Sequence, residues 1–189
     1  MLVKICGVQD PEIASFAAKE GANLIGVVLT HGFKRSVSLE QGKKIVDAAR
    51  KNGAIPVGVF VSEPASKIGS ICDFLGIEFV QAYDLVGPLP EHLKRIHINN
   101  SKALLRPDRD LVLMEADTPG QGEKLDFDTF NPPEVKPWMI AGGLTPENVK
   151  RLILRFRPSG VCVSSGVEKE GRKDPERILK FIQEVRSCE

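Results

Sequence analysis

A cysteine and a pair of carboxylates stand at the ends of strand-like runs, where an enzyme built on a sheet carries its chemistry. Cys6 ends the apolar run LVKIC and is followed directly by Gly7. Glu115 and Asp117 come at the end of the run LVLME, and their spacing of two residues places both on one face of a strand. A thiolate can act as a general base, and a carboxyl of raised pKa as a general acid. A lone strand cysteine more often fills a core, so the residue types alone leave Cys6 open between packing and catalysis.

Two glycine-bearing loops near the end of the chain predict a phosphate site. Gly142 and Gly143 lie between a strand-like run and a helix-like segment in MIAGGLTPENV. Ser164, Ser165 and Gly166 follow the last strand-like run in VCVSSGVEKEGRKD. Backbone N–H groups in such loops can converge on an anion without a Cβ in the way. Either loop alone can simply make a turn, but two in succession favour phosphate.

Arg35, in the stretch HGFKRSVS, is a candidate for a second anion. A surface arginine is usually a solvated charge. Because it lies in a loop between a strand and a helix cap, its planar guanidinium could instead hold a carboxylate.

Composition narrows the class of protein. The chain has 189 residues, 42% apolar and 27% charged, with a net charge of +1, which gives no general attraction to nucleic acid or to an anionic membrane. No run is long enough to span a membrane, and the N-terminus has no secretion signal. Four cysteines lie far apart without C-x-x-C spacing, and His31 has no metal-ligand spacing, which disfavours zinc and a disulfide scaffold. We expect a cytoplasmic protein with free thiols.

Short apolar runs alternate with amphipathic segments along the whole chain. Strands are predicted at residues 2–6, 24–29, 55–61, 77–81, 95–98, 111–115, 138–141 and 160–163. Helices are predicted at residues 11–20, 38–50, 64–75, 146–155 and 175–186. This alternation predicts an α/β fold, a (β/α)8 TIM barrel formed by residues 1–189 as a single domain, with shortened helices after strands five and six. An open doubly wound sheet is the alternative on periodicity alone.

In such a barrel the loops after the strands form the active face. The rule predicts that the candidate residues lie together on one rim of the barrel. They are Cys6, Arg35, Glu115, Asp117, Gly142, Gly143, Ser165 and Gly166.

The motifs together resemble the phosphoribosylanthranilate isomerase family of tryptophan biosynthesis. VKICG resembles its opening signature, KRSVS its arginine loop and VGVFV its third strand, while IAGGLTPENV and VSSGVEKEGRKD resemble its two phosphate loops. The likeness runs in order over residues 3–174.

The resemblance implies a role for each candidate. Cys6 becomes the general base and Asp117 the general acid, with Glu115 as the alternative because the loop is shorter than usual. Arg35 is implied to hold the anthranilate carboxylate. The ribose phosphate is implied to be held by Gly142, Gly143, Ser165 and Gly166.

The implied reaction is the Amadori rearrangement of N-(5′-phosphoribosyl)anthranilate to 1-(2-carboxyphenylamino)-1-deoxyribulose 5-phosphate. It needs no metal or organic cofactor, because the substrate nitrogen acts as the electron sink. The expected partner is thus a phosphorylated small molecule, with no nucleic acid and no membrane, and the protein a monomer or homodimer. Tyr83 and Cys162 depart from the family pattern, in which strand four usually ends in Gln-Leu-His-Gly and strand eight carries an aspartate. Two alternatives remain: another sugar-phosphate isomerase or synthase, or a non-catalytic barrel that binds a phosphorylated ligand.

Overall fold

Eight parallel strands close into a barrel. The computed structural model describes residues 1–99, 109–115, 125–134 and 136–189. The strands are β1 (Leu2–Cys6), β2 (Leu24–Val28), β3 (Ile55–Phe60), β4 (Phe79–Ala82), β5 (Lys94–Ile98), β6 (Leu111–Met114), β7 (Trp138–Ile140) and β8 (Gly160–Val163). They pair in chain order, and β8 returns to pair with β1. The predicted barrel is confirmed, and the open sheet is wrong. That residues 1–189 form one domain stays a prediction.

Five α-helices lie outside the barrel in the residues that the structure describes. They are α1 (Pro11–Lys19), α2 (Leu39–Lys51), α3 (Ala65–Leu75), α4 (Val149–Phe156) and α5 (Pro175–Arg186). The side chains of Asp10, Ser38 and Asp174 cap α1, α2 and α5 by accepting backbone N–H groups, as expected for these residue types. Helix α4 begins three residues later than predicted.

A turn delays α4. The backbone N–H of Thr145 donates to Asn148 Oδ1 at 2.8 Å, and Asn148 Nδ2 donates to the Gly143 carbonyl at 2.9 Å. These bonds occupy the first predicted turn of the helix and tie it to the glycine loop.

The connections after β4 and β6 show no helix in the residues that the structure describes. Residues 83–93 cross from β4 to β5 without a helix, and none of the five helices predicted from the sequence falls there. The segment predicted for the shortened helix after strand five, residues 99–106, lies outside the described residues except for Asn99. After Asp126, where the other shortened helix is predicted before Pro132 and Pro133, the described residues 127–134 contain a turn and no helix.

Side chains of β1 alternate between two cores. Val3 and Ile5 pack outward against the layer of helices. Cys6 packs inward with the residues that fill the barrel, and Lys4 lies on the same face of the strand. The buried apolar residues that fill the interior are Leu24, Val57, Val59, Ile96, Leu113, Met139, Ala141 and Cys162. Register therefore places a lysine and a cysteine together inside the barrel.

In the part of the chain that the structure describes, no helix is both long enough and apolar enough to cross a membrane.

Candidate active site

Lys4 and Cys6 form a buried pair at the inner wall of the barrel. The side chain of Lys4 is 0% exposed; its Nζ lies 3.5 Å from Cys6 Sγ and donates a hydrogen bond to Gln81 Oε1. A buried ammonium is costly unless it has partners, so the amide oxygen and the sulfur stabilise the charge of Lys4 in place of water. Gly26, opposite Cys6 on β2, leaves room for the sulfur, because a Cβ there would lie only 2.8 Å from Sγ.

The surroundings of Cys6 favour its thiolate. Its pKa lies well below the ordinary value because the Cys162 thiol donates a hydrogen bond to the sulfur. Burial opposes this effect, and the positive charges of Lys4 and Lys173 lower the pKa further. Cys162 itself stays a thiol, since its hydrogen bond to Cys6 and its burial raise its pKa well above the ordinary value. Burial also opposes the charge of Lys4, but interactions with Cys162, Cys6 and Glu115 outweigh it and raise the lysine pKa.

Replacing Lys4 with methionine is expected to slow alkylation of Cys6 at neutral pH several-fold. Only the thiolate reacts, and removal of the nearby positive charge raises the pKa of Cys6, so the rise of rate with pH moves to higher pH. Iodoacetamide rates, read for the Cys6 peptide by mass spectrometry from pH 5 to pH 10, measure this. The exposed Lys19→Met variant is the matched control and should match the unsubstituted chain. Equal rates in Lys4→Met and the unsubstituted chain would show that Lys4 does not activate the thiol.

Glu115 follows β6 directly and is held through its main chain. Asn99 Nδ2 donates to the Glu115 carbonyl at 2.9 Å, and the Glu115 N–H donates to Asn99 Oδ1 at 2.8 Å. Burial raises the pKa of Glu115 to about 7; hydrogen bonding with Tyr83 and the charge of Lys4 pull it down, while the charge of Cys6 pushes it up. Its Oε1 atom is buried without a hydrogen-bond partner. Glu115 is thus a carboxyl able to hold and release a proton near neutral pH.

Asp117 lies outside the described residues. Its predicted role as the general acid stays a prediction.

The two glycine loops predicted to bind phosphate adjoin one another. Gly142 and Gly143 both adopt positive φ angles, +84° and +83°, which glycine reaches without strain. A Cβ on Gly166 would overlap the carbonyl oxygen of Leu144, so the loop after β8 lies in backbone contact with the loop after β7. Ser165 begins a short 3₁₀ turn, Ser165–Val167, beside this contact. The structure therefore brings the four predicted phosphate residues into one pair of neighbouring loops.

Arg35 reaches the same rim and is engaged by a carboxylate of the chain itself. Its Nε and Nη2 donate to the two oxygens of Glu168 at 2.6 and 3.0 Å. Glu168 also accepts from Lys173 Nζ at 2.5 Å, because a two-stranded ribbon of β9 (Glu168–Lys169) and β10 (Arg172–Lys173) sets the two residues opposite each other. Gly7 makes room for Arg35, since a Cβ at Gly7 would overlap its Cδ. The arginine thus has the geometry to bind a carboxylate in a bidentate manner.

Lys173 links this cluster to the thiol. Its Nζ donates to the Ser164 carbonyl at 3.1 Å, and the Ser164 hydroxyl donates to the Cys6 carbonyl at 3.1 Å. Burial lowers the pKa of Lys173, although Glu168 opposes this. The rim therefore carries a positive charge beside both the thiol and the glycine loops.

Lys4, Gln81 and Lys173 are not among the site residues predicted from the sequence. The sequence does hint at a role for Lys4 in the site. It is the one charged residue in the run LVKIC, and because it lies two residues before Cys6 it shares the same face of the strand. Gln81 and Lys173 give no comparable sign.

Comparison with known proteins agrees with this geometry. The sequence model of the N-(5'phosphoribosyl)anthranilate (PRA) isomerase family matches residues 3–184. An N-(5'-phosphoribosyl)anthranilate isomerase of Chlamydia caviae is 35% identical, over 96% of this chain and 95% of that protein. The crystal structure of phosphoribosyl anthranilate isomerase from Thermotoga maritima has a TM-score of 0.83 and 30% identity, over 99% of this chain and 100% of that one.

A further solved phosphoribosyl anthranilate isomerase, in complex with reduced 1-(o-carboxyphenylamino)-1-deoxyribulose 5-phosphate, has a TM-score of 0.77 and 29% identity, over 99% of this chain and 100% of that one. The barrel, its paired glycine loops and a match over nearly the whole chain lead to one conclusion: the chain belongs to the N-(5'-phosphoribosyl)anthranilate isomerase family.

Proposed function

We propose that this chain catalyses the Amadori rearrangement of N-(5′-phosphoribosyl)anthranilate to 1-(2-carboxyphenylamino)-1-deoxyribulose 5-phosphate, with Glu115 as general acid and Cys6 as general base. One observation supports it most: inside one barrel, a thiol pKa is lowered and a carboxyl pKa is raised. These opposite shifts favour a thiolate together with a neutral carboxyl near neutral pH, which is the pair that the reaction requires.

Glu115 acts first in the proposed mechanism. Its proton passes to the furanose ring oxygen, the bond from C1 to that oxygen breaks, and the sugar opens to a protonated imine. The unpartnered Oε1 offers the position from which the proton is donated.

Cys6 acts second. The thiolate removes the proton from C2, and the electron pair of that bond moves through C1 to the cationic nitrogen, giving an enolamine. Tautomerisation of the enolamine yields the ketone. Lys4 and Lys173 keep the sulfur anionic until it takes the proton. Neither step calls for a metal or an organic cofactor, because the substrate nitrogen accepts the electron pair.

The two ends of the substrate are held by different groups. Gly142, Gly143, Ser165 and Gly166 would bind the ribose phosphate through the paired loops. Arg35 would bind the anthranilate carboxylate, which replaces Glu168 on the guanidinium when substrate arrives. Lys173 still pairs with Glu168 after that exchange, so the displaced carboxylate keeps one cationic partner.

The binding partner of the chain follows from the same proposal. The partner is a phosphorylated small molecule rather than nucleic acid or membrane. A cytoplasmic location, and a monomeric or homodimeric state, stay predictions.

Loss of the anthranilate fluorescence of the substrate tests the proposed function directly. We expect the chain to consume N-(5′-phosphoribosyl)anthranilate with saturable kinetics and to form the deoxyribulose product, identified by mass spectrometry. Absence of turnover, together with binding of the reduced product analogue, would contradict the proposal and support a non-catalytic phosphate-binding barrel. Turnover of other sugar phosphates but not of this substrate would support a different isomerase or synthase.

A further inference from the structure

We propose that Tyr83 is a positioning residue that orients the Glu115 carboxyl, and that Gln81 sets the direction in which Tyr83 donates its hydrogen bond. This inference rests on the proposed role of Glu115 as the general acid. Tyr83 follows β4 and packs against the apolar residues that fill the barrel.

The direction of the hydrogen bonds begins at Lys4. An ammonium group can only donate, so the atom of Gln81 that faces Lys4 must be its amide oxygen. The amide nitrogen then points the other way, where Nε2 donates to the Tyr83 hydroxyl at 2.7 Å. Because the Tyr83 oxygen accepts this bond, its own hydrogen is directed to a different acceptor.

That acceptor is Glu115, because hydrogen bonding between the Tyr83 hydroxyl and the Glu115 carboxyl shifts the pKa of both groups. Burial, and then the charge of Glu115, raise the pKa of Tyr83, so the phenol keeps its proton and is a permanent donor. A one-way chain of hydrogen bonds thus runs from Lys4 beside the thiol to the carboxyl across the barrel, by way of Gln81 and Tyr83.

Two contacts then fix Glu115, and they act differently. Asn99 holds its main chain. Tyr83 holds the carboxyl at the end of a side chain with three rotatable bonds, and Oε1 is left without a protein partner. The charged and titratable groups facing Glu115 are Lys4 and Cys6 from β1, Cys162 from β8, and Tyr83.

Tyr83→Phe tests the proposal because it removes the hydroxyl and keeps the ring. Loss of a hydrogen bond that favours the ionised carboxyl raises the pKa of Glu115. A general acid works while protonated, so the fall of kcat with rising pH is expected to move to higher pH. The looser carboxyl is expected to lower the maximal kcat by about 10-fold to 100-fold. A lower kcat with an unmoved pH profile would assign Tyr83 a purely structural role and overturn the proposal.

Asn99→Ala is the matched control. It loosens the Glu115 main chain without removing a hydrogen bond from the carboxyl. We expect kcat to fall with no shift of the descending part of the pH profile. If Asn99→Ala shifts the profile as far as Tyr83→Phe does, the effect belongs to loosening in general and the proposal is wrong.

The single tyrosine of the chain permits a test without any substitution. Growth on 3-fluorotyrosine modifies only Tyr83, and the more acidic phenol donates a stronger hydrogen bond. The pKa of Glu115 is then expected to fall, opposite to the shift in Tyr83→Phe. No change, or a rise, would overturn the proposal even if Tyr83→Phe fails to fold.

Direct titration separates this inference from the proposed function. Carboxyl ¹³C NMR of glutamate-labelled protein, with the Glu115 signal assigned by Glu115→Gln, reports the pKa without turnover. A shifted midpoint in Tyr83→Phe, in a chain that lacks isomerase activity, would uphold the positioning role and reject the function. An unshifted midpoint in Tyr83→Phe, in a chain with isomerase activity, would reject the positioning role and uphold the proposed function.

Discussion

Cys6→Ala is expected to lower kcat/KM for N-(5′-phosphoribosyl)anthranilate by about 10²-fold to 10⁴-fold, the usual contribution of a general base. Removal of the sulfur leaves the phosphate loops, Arg35 and Glu115 in place, so binding of the reduced product analogue should change little. Cys6→Ser is expected to be almost as slow, because a hydroxyl beside Lys4 does not ionise near neutral pH. Steady-state fluorescence kinetics and analogue titration measure the two effects.

Cys188→Ala is the control for this series, because Cys188 lies beyond the end of α5 and contacts the Glu184 carbonyl. It should keep the activity of the unsubstituted chain. Normal turnover by Cys6→Ala would remove Cys6 from the mechanism. The pH profile gives an independent check: a base works while deprotonated, so activity should already have risen well below the ordinary thiol pKa.

Cys162 shows why a departure from the family pattern need not weaken the base. The family usually has an aspartate in strand β8 where this chain has Cys162. A carboxylate in contact with Cys6 would raise the pKa of the thiol, because two negative charges repel each other. The thiol found there stays protonated and donates a hydrogen bond, which lowers the pKa of Cys6 instead. The chain therefore achieves a reactive thiolate with a neutral neighbour and two lysines, Lys4 and Lys173.

The fold follows from the sequence because its cause is local. Apolar runs between capped amphipathic segments specify parallel strands and outer helices, and capping residues such as Asp10 and Ser38 mark helix starts. The connection over residues 83–93 agrees as well, because no helix is predicted there and none is found.

The site follows from the sequence only in part, because its contacts join distant segments. The position of Cys6 at a strand end is readable, since strand ends of a barrel form its active face. The bond from Lys4 to Gln81 spans 77 residues, and that from Arg35 to Glu168 spans 133. Such pairs form only when the barrel closes, so neither the buried ammonium nor the occupied guanidinium can be inferred from spacing.

Glu115→Gln is expected to lower kcat by about 10²-fold to 10⁴-fold, because the amide cannot donate a proton to the ring oxygen. The same change should abolish the fall of activity through pH 7, since that fall reports loss of the carboxyl proton from a group whose pKa is about 7. Fluorescence kinetics from pH 5 to pH 9 measure both effects. Glu115→Asp keeps a carboxyl one methylene shorter and should retain the pH dependence with an intermediate rate.

Asp117→Asn decides between the two candidate acids. If Glu115 is the acid, Asp117→Asn should stay within about threefold of the unsubstituted chain, as expected for a residue outside the proton transfer. Full activity in Glu115→Gln with loss of activity in Asp117→Asn would assign the acid to Asp117. The structure favours Glu115 because its carboxyl shares Lys4 and Cys6 as neighbours, so one buried cation stabilises the anionic form of both the base and the acid. During the reaction Glu115 loses its proton and becomes negatively charged, while Cys6 gains the C2 proton and becomes neutral. The total charge beside Lys4 is therefore the same before and after the two proton transfers.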